Sequence, residues 1–242
     1  MPLSEVLSAV TQAWALLIAH PAQWLFVVAT FLVAVEALMF IPYVGFVVKL
    51  AVAGVVSAGI FALFASASGG NSPNSLTLIS SFSLPWAMQA TLAFATILPF
   101  AVGVLYLYLK GGPASIHFFF GNILKAKPPA RELFVQFKYV MLAVALPLTL
   151  MPGVVILSGL SGVAAVLAAL AAATVNWLPL LLIGTMTFAF EWVSAYLPAL
   201  MPKAAAVAIT GLLLLAFLAW SFAINYTVST RALGVHSSAN AA

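Results

Sequence analysis

Apolar residues fill most of this 242-residue chain in long stretches, separated by short segments rich in proline, glycine, serine and asparagine. A helix needs about 20 apolar residues to cross a bilayer, so each stretch of that length predicts one transmembrane helix. Residues 22–66 are long enough for two crossings, and the segment 41–45, which contains Pro42 and Gly45, predicts a turn between them. The spans are predicted near residues 22–41, 44–66, 85–109, 139–152, 154–175, 177–197 and 204–229.

Residues 139–175 leave the number of spans open between six and seven. This segment is apolar but contains Pro147, Pro152 and Gly153, which interrupt or end a helix. It can form one long broken span or two short ones, and we interpret it as two. The sequence therefore predicts an all-α, polytopic transmembrane helix bundle of six or seven spans, with residues 1–242 forming a single integral membrane domain.

Residues 1–20 predict an amphipathic helix ahead of the first span. Apolar residues recur at intervals of three and four, and Ser4, Glu5 and Gln12 lie on the opposite face. No lysine or arginine is present in this segment to attract anionic lipid. We therefore expect Trp14 and the aliphatic face to hold the helix in the membrane interface. A simple lead-in to the first span is the alternative interpretation.

The composition of the chain agrees with lipid as its main solvent. It has eight basic and four acidic residues, no aspartate and no cysteine, whereas about a quarter of the residues of a soluble domain are charged. Four glutamates are a poor basis for a carboxylate dyad or an acidic metal site. We predict that the protein is not an enzyme, has no cofactor or metal, and contacts membrane lipid rather than nucleic acid.

Most of the positive charge lies in residues 110–138. The positive-inside rule predicts that this basic loop faces the cytoplasm, where it can bind lipid headgroups or an acidic protein partner. Seven spans would place Arg231 on the same side as the loop, whereas six would place the C-terminus outside. In both cases the N-terminus is expected outside. The basic residues of the loop are Lys110, Lys125, Lys127, Arg131 and Lys138.

Two glutamate–lysine pairs lie within or beside apolar spans. Glu36 and Lys49 flank the turn at 41–45 by similar distances, so a helical hairpin brings them to about the same depth. Charged groups at membrane depth are costly unless they are paired or face water. The pair is therefore either an ion pair that fixes the register of the hairpin or part of a transport site. Glu191 and Lys203 repeat the order glutamate, proline turn, lysine, and form a possible second pair.

The segment Gly159–Gly162 resembles the G-x-S-G motif of rhomboid intramembrane proteases, a resemblance that makes Ser161 a candidate nucleophile. That chemistry needs a histidine on a later span to activate the serine. The only histidine after Ser161 is His236, in the terminal tail, and the Trp-Arg and histidine-asparagine elements of that family are missing. An intramembrane serine protease is therefore a remote alternative.

Residues 10–90 contain an ordered set of tryptophan, proline and glycine motifs. These motifs are Trp14, His20-Pro21, Trp24, Ile41-Pro42-x-x-Gly45, Gly54, Gly59 and Leu84-Pro85. Their order resembles that of a group of uncharacterised bacterial inner-membrane proteins with about six spans and an Ile-Pro-x-x-Gly hairpin turn. The resemblance implies a bacterial inner-membrane location but no particular activity. It also implies a cytoplasmic N-terminus, contrary to the charge pattern.

Together these features favour a non-catalytic membrane subunit or scaffold of a bacterial inner-membrane assembly. Such a protein packs against other membrane subunits or copies of itself, and the small residues Gly54, Ala58 and Gly59 suit close helix packing. The alternative is a small-solute or lipid transporter. In that case the intramembrane charges Glu36, Lys49 and Glu191 belong to its site.

Overall fold

The computed structural model of this chain is all-α and describes residues 2–41, 44–120 and 129–233. Within these residues, six helices are long and apolar enough to cross a membrane. This confirms the predicted transmembrane bundle at the lower of the two span counts. The six crossings are Pro21–Phe40, Gly45–Ser68, Trp86–Gly111, Arg131–Ser158, Trp177–Leu200 and Lys203–Ala232.

Proline opens several of the helices, because its fixed φ suits the first turn and its missing N–H is not needed there. Pro21 begins the second helix, and Pro85 and Pro202 directly precede two others. The helices are α1 (Leu3–Ala19), α2 (Pro21–Ala37), α3 (Gly45–Ser68), α4 (Thr77–Ser80), α5 (Trp86–Gly111), α6 (His117–Phe120), α7 (Arg131–Leu148), α8 (Met151–Ser158), α9 (Gly162–Val175), α10 (Trp177–Leu200) and α11 (Lys203–Ala232). Short 3-10 turns lie at Leu38–Phe40, Ser81–Ser83 and Pro113–Ser115.

The structure divides residues 139–175 differently from the two spans expected there. α7 and α8 form one crossing that begins at Arg131 and is interrupted after Leu148, and α9 follows as a helix of 14 residues. Fourteen residues reach only about 21 Å, which is short of a bilayer crossing. The turn before α9 uses Gly159 and Gly162, both at positive φ. The hydropathy of this segment does not locate the turn, and the prediction placed the break at residues 152–154 instead.

The N-terminal helix α1 packs on the last turns of α11. The Arg231 guanidinium donates to the backbone oxygen of Glu5 across 2.7 Å and to Oε1 of Gln12 across 3.0 Å. Ala9 and Ala13 are fully buried, because small residues let two helices approach closely. The predicted amphipathic helix therefore packs against the bundle, and its outer side is apolar. The large side chains on that outer side are Leu3, Leu7, Trp14 and Ile18.

The central helix of the bundle is α3. Half of its most apolar 18-residue stretch is buried. A Cβ atom at Gly54 would collide with the carbonyl oxygen of Leu92 in α5, and one at Gly59 would come within 2.8 Å of the Leu78 oxygen. Thr96 of α5 strengthens the same contact by donating to the Leu50 oxygen across 2.6 Å. The small residues of the second span therefore pack against other helices of the same chain.

Alternation of the six crossings gives the bundle two membrane faces. We call the face at which α2, α5 and α10 end and α3, α7 and α11 begin the basic face. Lys110 lies in the last turn of α5 there, and Arg131 and Lys203 begin α7 and α11. Arg231, in the last turn of α11, lies at the opposite face. By the positive-inside rule this asymmetry predicts a cytoplasmic basic face.

An aromatic cluster near the basic face joins α3, α5, α6 and α7. The ring of Phe119 is 5.1 Å from that of Phe46, 5.3 Å from that of Phe100 and 5.1 Å from that of Phe137. Phe119 and Phe137 are both buried. Aromatic pairs at these separations add packing energy beyond their buried area. The cluster therefore fixes the first turns of α7, which carry charged residues of the candidate site.

Candidate functional site

The first predicted charge pair closes the hairpin formed by α2 and α3. Lys49 Nζ donates to Glu36 Oε1 across 2.6 Å and to the Met39 sulfur across 3.0 Å. The Lys49 side chain is 20% exposed and that of Glu36 is 46% exposed. Glu36 lies in the last turn of α2 and Lys49 in the second turn of α3. This geometry is that of an ion pair holding two neighbouring helix ends together.

Glu191 has a different partner from the one expected. In the described residues it pairs with Lys138 of α7, whose Nζ donates to Glu191 Oε1 across 3.0 Å, and not with Lys203. α10 continues for nine residues after Glu191 to Leu200, so the carboxylate lies about 14 Å along the helix from its end. Lys203 begins α11 only after that end, whereas α7 runs directly beside α10.

A cleft opens between α7 and α10 around this second ion pair. Its cavity has a volume of about 240 Å³. The rings of Tyr139 and Phe188 meet across it, with centroids 5.2 Å apart. We call this the α7–α10 cleft, and its lining residues are Lys138, Tyr139, Met141, Leu142, Ala145, Thr187, Phe188 and Glu191.

The polarity of the cleft changes along the length of α7. Towards the basic face it borders, at Tyr139, a shallow hollow of about 560 Å³ on the surface of α7, lined by Arg131, Glu132, Val135, Gln136 and Tyr139, which we call the polar end. Towards the middle of the bundle lies a cavity of about 310 Å³, which we call the apolar end. The apolar end is lined by Leu146, Pro147, Leu170, Ala173, Thr174, Trp177, Leu180 and Leu181. Charged, aromatic and aliphatic surfaces therefore follow one another from the basic face inwards.

The helices on both sides of the apolar end are interrupted. α7 ends one residue after Pro147, and the amide of Asn225 in α11 donates to the Thr149 oxygen in the break. On the other side, Asn176 separates α9 from α10 and donates to the Ala172 oxygen across 2.8 Å. Both asparagines are buried. They supply hydrogen bonds to carbonyl groups at the breaks, which lipid would leave unsatisfied.

The basic loop expected at residues 110–138 is shorter in the structure, because both of its ends are helical. Lys110 lies in the last turn of α5, Arg131 is the first residue of α7, and Lys138 lies two turns inside α7. Lys125 and Lys127 lie outside the described residues. Lys138 was expected in a loop that binds lipid headgroups or a protein partner. In the structure it lies in α7 and lines the α7–α10 cleft.

Ser161 lies in the turn between α8 and α9. It lines a groove of about 630 Å³ between α5 and α9, next to Trp86 and Thr91. The Thr91 hydroxyl accepts a hydrogen bond from the Gly162 N–H across 2.7 Å, which holds the turn. Within residues 2–41, 44–120 and 129–233, no hydrogen bond joins Ser161 to a histidine. His236 lies outside the described residues.

Sequence reasoning missed the pairing of Lys138 with Glu191 and the aromatic contact of Tyr139 with Phe188. Lys138 and Glu191 are 53 residues apart, and their helices are not consecutive crossings of a tight hairpin. The one available signal is that Glu191 is an acidic residue inside an apolar span, which requires some cation as a partner. Nothing in the spacing identifies which cation that is.

The α7–α10 cleft is the candidate functional site of the described residues, because charged groups, a cavity and interrupted helices meet there. Comparison of the chain with protein-family models, with curated proteins and with solved structures found no match.

Proposed function

We propose that this integral membrane protein is a transporter of a lipid or lipid-like amphipathic solute, with the α7–α10 cleft as its binding site. The graded polarity of the cleft carries this proposal. Charged residues occupy the polar end, the ion pair and aromatic rings follow, and aliphatic residues line the apolar end. A phospholipid presents the same order of groups along the membrane normal, which matches the order of the three cavities.

Access to the cleft from the bilayer supports a lipid-like substrate. Tyr139 is 49% exposed and Phe188 is 43% exposed, although both lie on membrane-spanning helices. Exposed surface on such helices faces the surrounding lipid, because the rest of the bundle does not cover it. A substrate with an acyl chain can therefore enter sideways from the membrane.

The interrupted helices beside the cleft support transport in addition to binding. Transporter sites commonly lie where helices are discontinuous, because such segments can rearrange around a substrate. Here the breaks after Leu148 and at Asn176 both border the apolar end. α10 is also the least buried of the six crossings in the described residues, with 17% of its most apolar 18-residue stretch buried.

The test of this proposal is lipid movement across the membrane of vesicles that contain the purified protein. A fluorescent phospholipid in the vesicles is bleached by an impermeant reductant, so the bleached fraction reports movement between leaflets. Ala145→Phe fills the cleft, whereas Ala143→Phe places the same ring on the exposed side of α7. We expect Ala145→Phe to slow movement about tenfold or more and Ala143→Phe to leave it unchanged. Wild-type vesicles that behave like protein-free vesicles would contradict the proposal.

A non-catalytic subunit or scaffold is the second candidate function, and one observation favours it. The first half of α11 carries an exposed row of small residues, Ala204, Ala208 and Gly211, and open space surrounds Gly211. Small residues in such a row allow another transmembrane helix to approach closely. If this is the function, the protein extracted in mild detergent carries a stoichiometric partner or a second copy, and Ala208→Leu removes it.

We also propose that the protein lies in the cytoplasmic membrane of a bacterium. The resemblance of residues 10–90 to bacterial inner-membrane proteins supports the cytoplasmic membrane of a bacterium. With six crossings and a cytoplasmic basic face, α1 and the end of α11 lie on the outer side.

A further inference from the structure

We infer that the α7–α10 cleft recognises the zwitterionic headgroup of a phospholipid, with Lys138 binding the phosphate and Glu191 binding the ammonium group. This inference rests on the proposed lipid-transport function and names its substrate class. Its basis is the charge, exposure and surroundings of the Lys138–Glu191 pair, together with the contrast to the pair at Glu36 and Lys49.

The charges around the cleft balance. Two cations, Arg131 and Lys138, and two carboxylates, Glu132 and Glu191, line the cleft and its polar end. A site built for an anionic headgroup would carry an excess of cations, because affinity for phosphate comes mainly from net positive charge. A balanced site offers one partner for each charge of a zwitterion.

The cost of leaving a charge unpaired in the membrane favours a zwitterion over an anion. Lys138 and Glu191 satisfy each other across 3.0 Å in the free protein. An anionic headgroup that takes Lys138 leaves Glu191 without a partner, and an unpaired charge at this depth is costly. A zwitterionic headgroup exchanges one ion pair for two, because its phosphate takes Lys138 while its ammonium group takes Glu191.

The pair is accessible enough for this exchange. Both side chains are 42% exposed, and Lys138 lies about 10 Å along α7 from its start at Arg131. That depth is near the boundary between headgroups and acyl chains for a helix that begins at the membrane surface. Tyr139 and Phe188 lie beside the pair, and their ring faces can also attract an ammonium group.

The Glu36–Lys49 pair provides a contrast within the same chain. It is shorter, at 2.6 Å, and Lys49 is 20% exposed and also hydrogen-bonded to the Met39 sulfur, whereas Glu36 is 46% exposed. None of the cavities that form the α7–α10 cleft and its two ends is lined by either residue. A pair that lies outside the cleft and has a largely covered lysine suits a structural role and supplies a matched control.

The test measures which phospholipids remain bound to the purified wild-type protein. The protein is placed in bilayers with equal parts of phosphatidylethanolamine, phosphatidylcholine and phosphatidylglycerol, then extracted, and its retained lipids are counted by mass spectrometry. We expect the two zwitterionic lipids to be retained about fivefold over phosphatidylglycerol. Glu191→Gln removes the carboxylate and should move the preference to phosphatidylglycerol, while Glu36→Gln should leave it unchanged.

The outcomes separate this inference from the function on which it rests. Equal or greater retention of phosphatidylglycerol by wild-type protein overturns the zwitterionic headgroup, and it leaves lipid transport standing if Ala145→Phe still lowers total retention. Retention that Ala145→Phe does not lower overturns the cleft as a lipid site altogether. The wild-type measurement needs no variant, so the inference stays testable even if Glu191→Gln does not fold.

Discussion

The ammonium group of Lys138 in α7 donates to the carboxylate of Glu191 in α10 across 3.0 Å, and the two groups are equally exposed. This contact joins two helices that are otherwise loosely packed and stands at the mouth of the α7–α10 cleft. In the pair between Glu36 and Lys49 the lysine is only 20% exposed, although Glu36 is 46% exposed. The two pairs should therefore differ in what they contribute to stability and to function.

Loss of the exposed pair should cost little stability. The double variant Lys138→Met with Glu191→Gln, which leaves no unpaired charge, should lower the free energy of unfolding by less than about 1 kcal/mol, because partly exposed ion pairs contribute little. Titration with SDS in mixed micelles measures this. A loss as large as that caused by Lys49→Met would show that the Lys138–Glu191 contact is mainly structural.

The Glu36–Lys49 pair should behave as a structural contact. Glu36→Gln or Lys49→Met alone leaves an unpaired charge at the end of the α2–α3 hairpin, which should cost about 2 kcal/mol and lower the protein level in membranes. The double variant removes both charges and should restore the level. If the double variant is present at wild-type level but loses lipid transport, the pair has a functional role instead.

Gly54 should tolerate no larger side chain, because its Cα faces the backbone of α5. A methyl group there would collide with the Leu92 oxygen and approach the Thr96 hydroxyl to 2.7 Å. Gly54→Ala should therefore lower the free energy of unfolding by about 1–3 kcal/mol. Gly211→Ala is the matched control, since nothing lies within 4 Å of its added atom, and it should be neutral or slightly stabilising.

Asn225 should stabilise the break between α7 and α8. Its side-chain amide donates to the Thr149 oxygen across 2.5 Å in a buried position. Asn225→Leu, of similar size, should lower the thermal midpoint of the extracted protein, at a cost of about 1–2 kcal/mol. Thr30→Val, which removes an exposed hydroxyl bonded within its own helix, should change the midpoint much less.

The orientation of the bundle can be measured by labelling, because the chain contains no cysteine. Ser72→Cys and Ala114→Cys place one exposed thiol in each of two connections, on opposite membrane faces. With a cytoplasmic basic face, an impermeant maleimide should label Ser72→Cys in right-side-out vesicles and Ala114→Cys in inside-out vesicles. Labelling of both from the same side would contradict the six alternating crossings, and the reverse pattern would place the basic face outside.

The sequence by itself determined the membrane environment, the all-α fold class and the ion pair between the consecutive helices α2 and α3. A bilayer accepts only long apolar helices here, so hydropathy predicted five of the six observed crossings close to their bounds. It expected two short spans in residues 139–175, where the structure has the crossing Arg131–Ser158 and the short helix α9. A tight turn leaves little choice of register, which is why Glu36 and Lys49 could be placed together from their spacing around residues 41–45.

Only the tertiary structure decided the contacts between helices that are distant in the chain. Lys138 pairs with Glu191 instead of Lys203 because α7 and α10 are neighbours in the bundle, and hydropathy does not specify which lipid-compatible helices pack together. The same limit applies to α9, whose length depends on a turn at Gly159 and Gly162 within a uniformly apolar segment. The candidate site arises from these long-range choices, because its walls come from helices that are separate in sequence.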